Sequence, residues 1–155
     1  MLNGIHVSSP IGVLYLEADE EGLTQVLFDG ETHPGPDRES PVLNQAKTWL
    51  EDYFSGKDPG ALPPLHPVGT PFRQQVWRLL LEIPYGKTTT YGALAKELER
   101  IQGKRASARA VGGAVGHNPI PIFIPCHRVV GADGSLTGFS GGMEKKVVLL
   151  GIEKK

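Results

Sequence analysis

Apolar positions along the chain change their period several times, and each change marks an element. Between residues 3 and 28 they fall in short runs, Gly12–Glu17 and Leu23–Phe28, separated by the turn-like Asp19-Glu20-Glu21-Gly22. Short apolar runs bounded by such residues read as strands. Ser9-Pro10-Ile11-Gly12 is a further turn, so the segment reads as a β-meander. Residues 30–40 are polar, with Pro and Gly, and read as a loop. From there the period becomes helical. Leu43, Ala46, Leu50 and Tyr53 follow Ser40, an N-cap type, and Pro41, suited to the first helical position. This predicts a helix over about 41–54, stopped at Gly56. Residues 56–69 hold four prolines and three glycines and read as a linker.

The second half is mostly helical in period. Phe72, Val76, Leu79 and Leu80 predict a helix ending near Pro84-Tyr85-Gly86. Thr90 caps a short helix carrying Leu94, Ala95 and Leu98. A basic loop, Gln102-Gly103-Lys104-Arg105, leads into an Ala- and Gly-rich helix over Ala106–Gly116. Helix, loop and helix of this length suggest a helix-turn-helix. Pro119, Pro121 and Pro125 punctuate an extended apolar segment, residues 131–142 form a glycine-rich loop, and Met143–Leu150 reads as a last helix. The expectation is an α+β protein of two domains, residues 1–69 and 70–155.

Composition narrows the class. The chain has 155 residues, 39% apolar and 21% charged, typical of a soluble globular protein. No apolar run approaches the roughly 20 residues of a membrane span, and the start lacks a basic, then apolar, secretory signal. A single cysteine forbids an internal disulfide and a multi-cysteine zinc site, and it fits a reducing, cytoplasmic compartment. The five histidines show no tight metal-ligand spacing, so no metal is expected. Charge is unevenly divided. Residues 1–69 carry 3 Lys and Arg against 11 Asp and Glu, a net −8, whereas residues 70–155 carry 13 against 6, a net +7. A basic second half points to a polyanion such as DNA. A random split of surface charge is the plainer alternative.

The chemistry concentrates in Pro125-Cys126-His127-Arg128-Val129-Val130. A cysteine attacks as its thiolate, free thiols titrate near ~8.5, and a nearby histidine can act as base. Neighbours on an extended strand point to opposite faces, so Cys126 and His127 can cooperate only if the backbone turns or a water bridges them. A buried structural cysteine is the competing reading. The second helix of the helix-turn-helix carries Ala106, Ala108, Ala110, Gly112, Gly113 and Ala114, with Arg109 its one long polar side chain. Major-groove readers need long polar side chains, so this slim helix suits close approach to a backbone or the minor groove, with Arg109 able to enter the base stack. Tight packing in a core would also use such small residues.

Taken in order, Phe72-Arg73-Gln74-Gln75-Val76-Trp77, Ile83-Pro84-Tyr85-Gly86, Thr90-Tyr91-Gly92, Arg109-Ala110-Val111-Gly112-Gly113-Ala114, Asn118-Pro119, Ile124–Val130 and Gly138-Phe139-Ser140-Gly141-Gly142 resemble the O6-alkylguanine-DNA alkyltransferases. The match covers about residues 72–153. The resemblance implies a small α/β, ribonuclease H-like amino-terminal domain and a helical carboxy-terminal domain with a winged-helix-like helix-turn-helix. It implies DNA repair by direct reversal: one irreversible transfer of the alkyl group from O6-alkylguanine in duplex DNA to Cys126, after nucleotide flipping, by a monomer without cofactor. Within it, His127 takes the thiol proton through a water, Glu153 orients His127, and Asn118 holds the turn. Tyr91 donates to the guanine ring, the Ser140 N–H contacts O6, and the Val129 carbonyl accepts from the exocyclic amine. Arg109 is the intercalating finger, and Ala108, Ala110, Gly112, Thr90 and Arg128 lie against DNA.

Departures from the family pattern carry expectations too. The stretch Glu99–Ser107 is longer than in many relatives, and Arg100, Lys104 and Arg105 offer phosphate contacts. The sequence continues only two residues past Glu153, which leaves that carboxylate loosely held. Phe139 stands where some relatives have Tyr. Two other functions compete: a lesion sensor or helix-turn-helix regulator in which Cys126 is unused, and a cysteine hydrolase with multiple turnover.

Overall fold

The computed structural model describes residues 2–28, 36–134 and 142–154. These form two compact units, divided between Val68 and Gly69. The first unit holds a three-stranded antiparallel sheet in the order β1 (Asn3–Ser9), β2 (Gly12–Ala18), β3 (Leu23–Leu27), with helix α1 (Pro41–Phe54) packed on β1 and β2. The register is set by the apolar face. Ile5 pairs with Leu16 and Leu16 with Val26, and all three are buried. Gly4 is required by Tyr15, whose ring lies where a Cβ would stand. Helix α1 starts where its cap lies: the Ser40 side chain accepts from the Leu43 N–H, and Pro41 occupies the first turn. Leu43, Ala46, Leu50 and Tyr53 form its buried face, joined by Trp49.

The second unit is helical. Its elements are α2 (Pro71–Leu81), a two-residue strand β4 (Thr89–Thr90), α3 (Tyr91–Gln102), α4 (Ala108–Gly116), a 3₁₀ turn (Cys126–Arg128), β5 (Val129–Val130) and α5 (Met143–Glu153). Thr70, Thr90 and Ser107 each cap their helix with a side-chain oxygen. Helices α2, α3 and α4 pack on one another. Trp77 of α2 is buried in that core and donates its indole N–H to the Ala114 carbonyl of α4 at 2.8 Å.

Helix α5 runs on to Glu153, past the Leu150 of the sequence reading, and two boundaries around the α3–α4 connection differ as well. Helix α3 is not short: it runs through Glu99 and Arg100, where an Arg100–Glu97 ion pair lies along its surface, and it stops at Gly103 with φ +73°. The connection to α4 is therefore residues 103–107, and α4 begins at Ala108, after its Ser107 cap, rather than at Ala106. Among the described residues no helix is long and apolar enough to cross a membrane.

Candidate active site

The segment before Cys126 is not extended. Its prolines remove N–H donors that a strand would need, and the chain closes on itself instead. The Ile124 N–H donates to the Ile120 carbonyl at 2.9 Å, and Pro121 bridges Ile124. Ile122 sits at φ +76°, a left-handed conformation that costs a β-branched residue on the order of 1–3 kcal/mol. Burial of Ile120, Ile122, Phe123 and Ile124 holds it there. Asn118 ties the loop from within: its amide NH₂ donates to the Ile124 carbonyl at 2.8 Å, and its Oδ1 accepts from the Ile120 N–H at 2.9 Å.

This closed loop delivers Cys126 into the 3₁₀ turn. The turn turns both Cys126 and His127 inward, 5% and 0% exposed, where an extended strand would have set them on opposite faces. Burial pushes the Cys126 thiol up to about 11, against the lowering effects of an Asn118 hydrogen bond and the Lys146 charge. Burial also pushes His127 below its ordinary value, opposed by Glu153. The site at neutral pH is therefore a thiol beside a neutral imidazole.

Glu153, in the last turn of α5, gathers three donors. His127 Nε2 lies 2.5 Å from Oε2, while Oε1 accepts from Arg128 Nε at 2.7 Å and from the Gly86 N–H at 3.0 Å. Far from being a loose tail residue, Glu153 is 5% exposed. Arg128 also donates through Nη1 to the Ile83 carbonyl at 2.8 Å and lies over the Tyr85 ring. Arg128 is thus committed to the interior. The expectation that it contacts DNA is corrected: a buried guanidinium satisfied by a carboxylate and a carbonyl is an internal brace. Gly86 has φ +79°, and a Cβ there would stand 3.3 Å from the Glu153 carbonyl oxygen, so this turn needs glycine.

The parallel pair β4–β5 joins the Cys126 segment to α3, with Thr89 opposite Val129 and Thr90 opposite Val130. Tyr91 follows at once as the first residue of α3, and its ring faces Gly112 of α4. Thr90 caps α3, its Oγ accepting from the Ala93 N–H at 3.1 Å. On α4, Ala108, Arg109 and Ala110 are exposed at the start of the helix, while Val111, Ala114 and Val115 form its buried side. One small helix therefore serves both packing and an exposed, slim face. Ser140 lies outside the described residues.

Two comparisons with family models match the two units separately. The model of the 6-O-methylguanine DNA methyltransferase DNA-binding domain matches residues 71–155, and that of the ribonuclease-like domain of the same family matches residues 5–61. The chain belongs to this methyltransferase family. A Haemophilus influenzae methylated-DNA–protein-cysteine methyltransferase is 46% identical over 152 residues, spanning 94% of this chain and 83% of the relative. Among solved structures, the Mycobacterium tuberculosis O6-methylguanine methyltransferase superposes with a TM-score of 0.86 at 40% identity, over 99% of this chain and 93% of that one. A Mycobacterium tuberculosis OGT in complex with DNA gives 0.84 at 41% identity, over 96% and 91%.

Within this methyltransferase fold the structure brings together Cys126, His127, Glu153 and Asn118, with Val129 and Tyr91 joined through the β4–β5 pair. Two members were missed in the sequence. Gly86 appears there only near a helix end and in the family-like run Ile83-Pro84-Tyr85-Gly86, with no role at the site. Lys146 is fully buried on α5 and donates Nζ to the Val129 carbonyl at 2.6 Å. Its signal was its spacing, seven residues before Glu153, which puts both on one helix face. Away from the site, Asp19, Glu21 and His66 cluster in the first unit with ligand-type atoms within 4.8 Å of one another. His66 Nδ1 lies 2.7 Å from Asp19 and Nε2 3.0 Å from Glu21. The hydrogen bond to Asp19 raises the imidazole's pKa and lowers that of Asp19, which favours the ionised pair.

Proposed function

We propose that this protein repairs alkylated DNA by taking the alkyl group from O6 of guanine, a methyl group in the first instance, onto Cys126. The observation that carries this reading is the buried Cys126–His127–Glu153 arrangement in a chain of this family. A thiol near 11 is a poor nucleophile at neutral pH, and beside it stands an imidazole kept neutral by burial. With Nε2 engaged by Glu153, the nitrogen that takes the thiol proton is Nδ1, through a water. Glu153 then stabilises the imidazolium.

The sulfur attacks the alkyl carbon in line. The S–C bond forms as the C–O6 bond breaks, and the electron pair stays with guanine, which takes a proton at its ring nitrogen. The Tyr91 hydroxyl donates to the departing base, the Ser140 N–H contacts O6, and the Val129 carbonyl accepts from the exocyclic amine, contacts that strengthen as charge develops. The products are unmodified guanine and a neutral thioether. No step needs a cofactor, and nothing in the scheme regenerates the thiol, so each molecule acts once.

Helices α3 and α4 act as the helix-turn-helix. Ala108, Ala110 and Gly112 allow α4 to approach the duplex closely, Arg109 fills the gap left by the flipped nucleotide, and Thr90 donates its hydroxyl proton to a phosphate. Lys104 and Arg105, in the connection before α4, add phosphate contacts. The reaction requires one copy of the chain, and a lone thiol kept for chemistry fits a reducing cytoplasm.

Intact-protein mass after incubation with duplex DNA carrying O6-methylguanine tests this. One added methyl in the wild type, never more than one per molecule, and none in Cys126→Ser supports the reaction and its acceptor. Binding without any mass gain would leave a lesion sensor.

A further inference from the structure

Helix α4 is weak by composition, yet the chain that leaves it must place a reacting loop. Three of its nine residues are glycine, Gly112, Gly113 and Gly116, and each weakens a helix by about 1 kcal/mol relative to alanine. A helix this short is marginal by itself. Its start is capped by Ser107, and Val111, Ala114 and Val115 hold its inner face. Its last turn is held differently, by side-chain donors on two consecutive carbonyls. The Ala114 carbonyl accepts from the Trp77 indole at 2.8 Å, and the Gly113 carbonyl lies 2.7 Å from His117 Nδ1. The Gly113 carbonyl also accepts the His117 backbone N–H at 3.1 Å, so one residue takes both of its lone pairs. A carbonyl oxygen only accepts, which makes Nδ1 a protonated nitrogen of this ring.

Asn118 follows directly. Its own backbone N–H reaches the Val115 carbonyl only at 3.3 Å, whereas its buried side chain has three tasks. It accepts from the Ile120 N–H, donates to the Ile124 carbonyl, and hydrogen-bonds Cys126. Such bonds hold only within about 2.7–3.2 Å between nitrogen and oxygen. The point at which the backbone leaves α4 therefore decides whether Asn118 makes all of them.

We propose that His117 is a positioning residue for alkyl transfer: by gripping the Gly113 carbonyl it fixes where the chain leaves α4, and so sets Asn118 against the loop that carries Cys126. The inference rests on the alkyltransferase reading of this site. His117 acts through Asn118 rather than on the sulfur itself. It is the joint between the helix that this reading lays against DNA and the loop that reacts.

The Cys126 thiol reports on this joint. Its ultraviolet thiolate absorbance is titrated in the wild type, His117→Ala and His117→Asn, each corrected by the same protein carrying Cys126→Ser. The rate of Cys126 alkylation by free O6-benzylguanine is measured on the same samples. Asparagine puts an amide nitrogen where the imidazole has Nδ1, so it can keep the bond to Gly113. The Asn118 hydrogen bond lowers the thiol's pKa. His117→Ala should therefore raise the thiol midpoint by about half a pH unit and slow the neutral-pH rate about threefold, with the loss recovered as pH rises. His117→Asn should stay nearer the wild type in both. A general loss of stability would leave the midpoint of the folded protein in place. An unmoved midpoint in His117→Ala, or an Asn variant shifted as far as Ala, overturns the proposal.

Should His117→Ala fail to fold, the wild type still decides the matter. Long-range nitrogen–proton NMR correlations at about pH 9, where imidazoles are neutral, should place the His117 ring proton on Nδ1. A proton on Nε2 instead removes the grip on Gly113 and the proposal with it. If the wild type reacts with neither O6-benzylguanine nor methylated duplex, the alkyltransferase reading fails. The thiol titrations still report on His117.

Discussion

The Glu153 carboxylate and the His127 imidazole lie 2.5 Å apart, 26 residues distant in sequence and both buried. The same carboxylate neutralises Arg128, so removing its charge should leave a buried guanidinium uncompensated. Breaking one side of such a pair costs about 3–5 kcal/mol. Glu153→Gln should therefore lower the urea midpoint by a corresponding amount and slow alkyl transfer as well. Adding Arg128→Met should restore part of the stability but not the rate. Equal recovery of both would make Glu153 a purely structural partner.

A second prediction concerns the base. His127→Ala should slow transfer to O6-benzylguanine on the order of 10²–10⁴-fold near neutral pH. The remaining rate should then follow the thiolate. Because burial holds the thiol near 11, that rate should rise about tenfold per pH unit until it levels near that value. The wild type should depend on pH far less steeply across the range where His127 is neutral. A variant rate flat in pH would remove His127 from the proton path.

Acid should loosen the same network. His127 titrates below its ordinary value in the folded protein. As pH falls, the unfolded chain takes up a proton that the folded one refuses. The stability His127 contributes is therefore present above about 6.5 and is lost as pH falls through the folded-state value. Urea unfolding at about pH 7 and about pH 5 should show a larger loss in the wild type than in His127→Asn. An equal loss would place the acid sensitivity elsewhere.

Local signals made much of the fold legible. Ser40-Pro41 fixed the start of α1, and Thr90 the start of α3, because a cap acts on the residues next to it. The apolar run Gly12–Glu17, bounded by turn residues, was an equally local signal for β2. What escaped depends on distance. Glu153 read as a possible loose end because its donors lie 25 or more residues upstream. Arg128 read as a DNA contact because a basic residue beside a nucleophile has no sequence mark of burial. The loop 118–125 read as extended because its proline spacing hides a closure made by the Asn118 side chain.

Gly112 separates two demands on α4. A Cβ there would sit 3.8 Å from the Tyr91 ring, an ordinary contact. Gly112→Ala should therefore be accommodated and should stabilise the helix by about 0.5–1 kcal/mol, since glycine is the poorer helix former. If the slim face of α4 lies against DNA, the same change should slow reaction with methylated duplex while sparing reaction with the free base. Thermal unfolding beside the two rates checks both halves, and duplex activity unchanged in a stabilised variant would take Gly112 off the DNA surface.

Arg109 offers the sharpest separation of binding from chemistry. Its side chain is exposed at the second residue of α4, whereas Val111, two residues on, is buried in the core. Truncation should thus cost little stability. Holding a nucleotide out of the stack requires a few kcal/mol of compensation, and 1.4 kcal/mol of that corresponds to about tenfold in rate or affinity. Arg109→Ala should then slow repair of duplex O6-methylguanine by at least about tenfold and leave the reaction with O6-benzylguanine near the wild-type rate. Placing the lesion opposite an abasic site, where extrusion is easier, should narrow the gap. Equal losses on free base and duplex would mean that Arg109 acts on the site itself rather than on the flipped nucleotide.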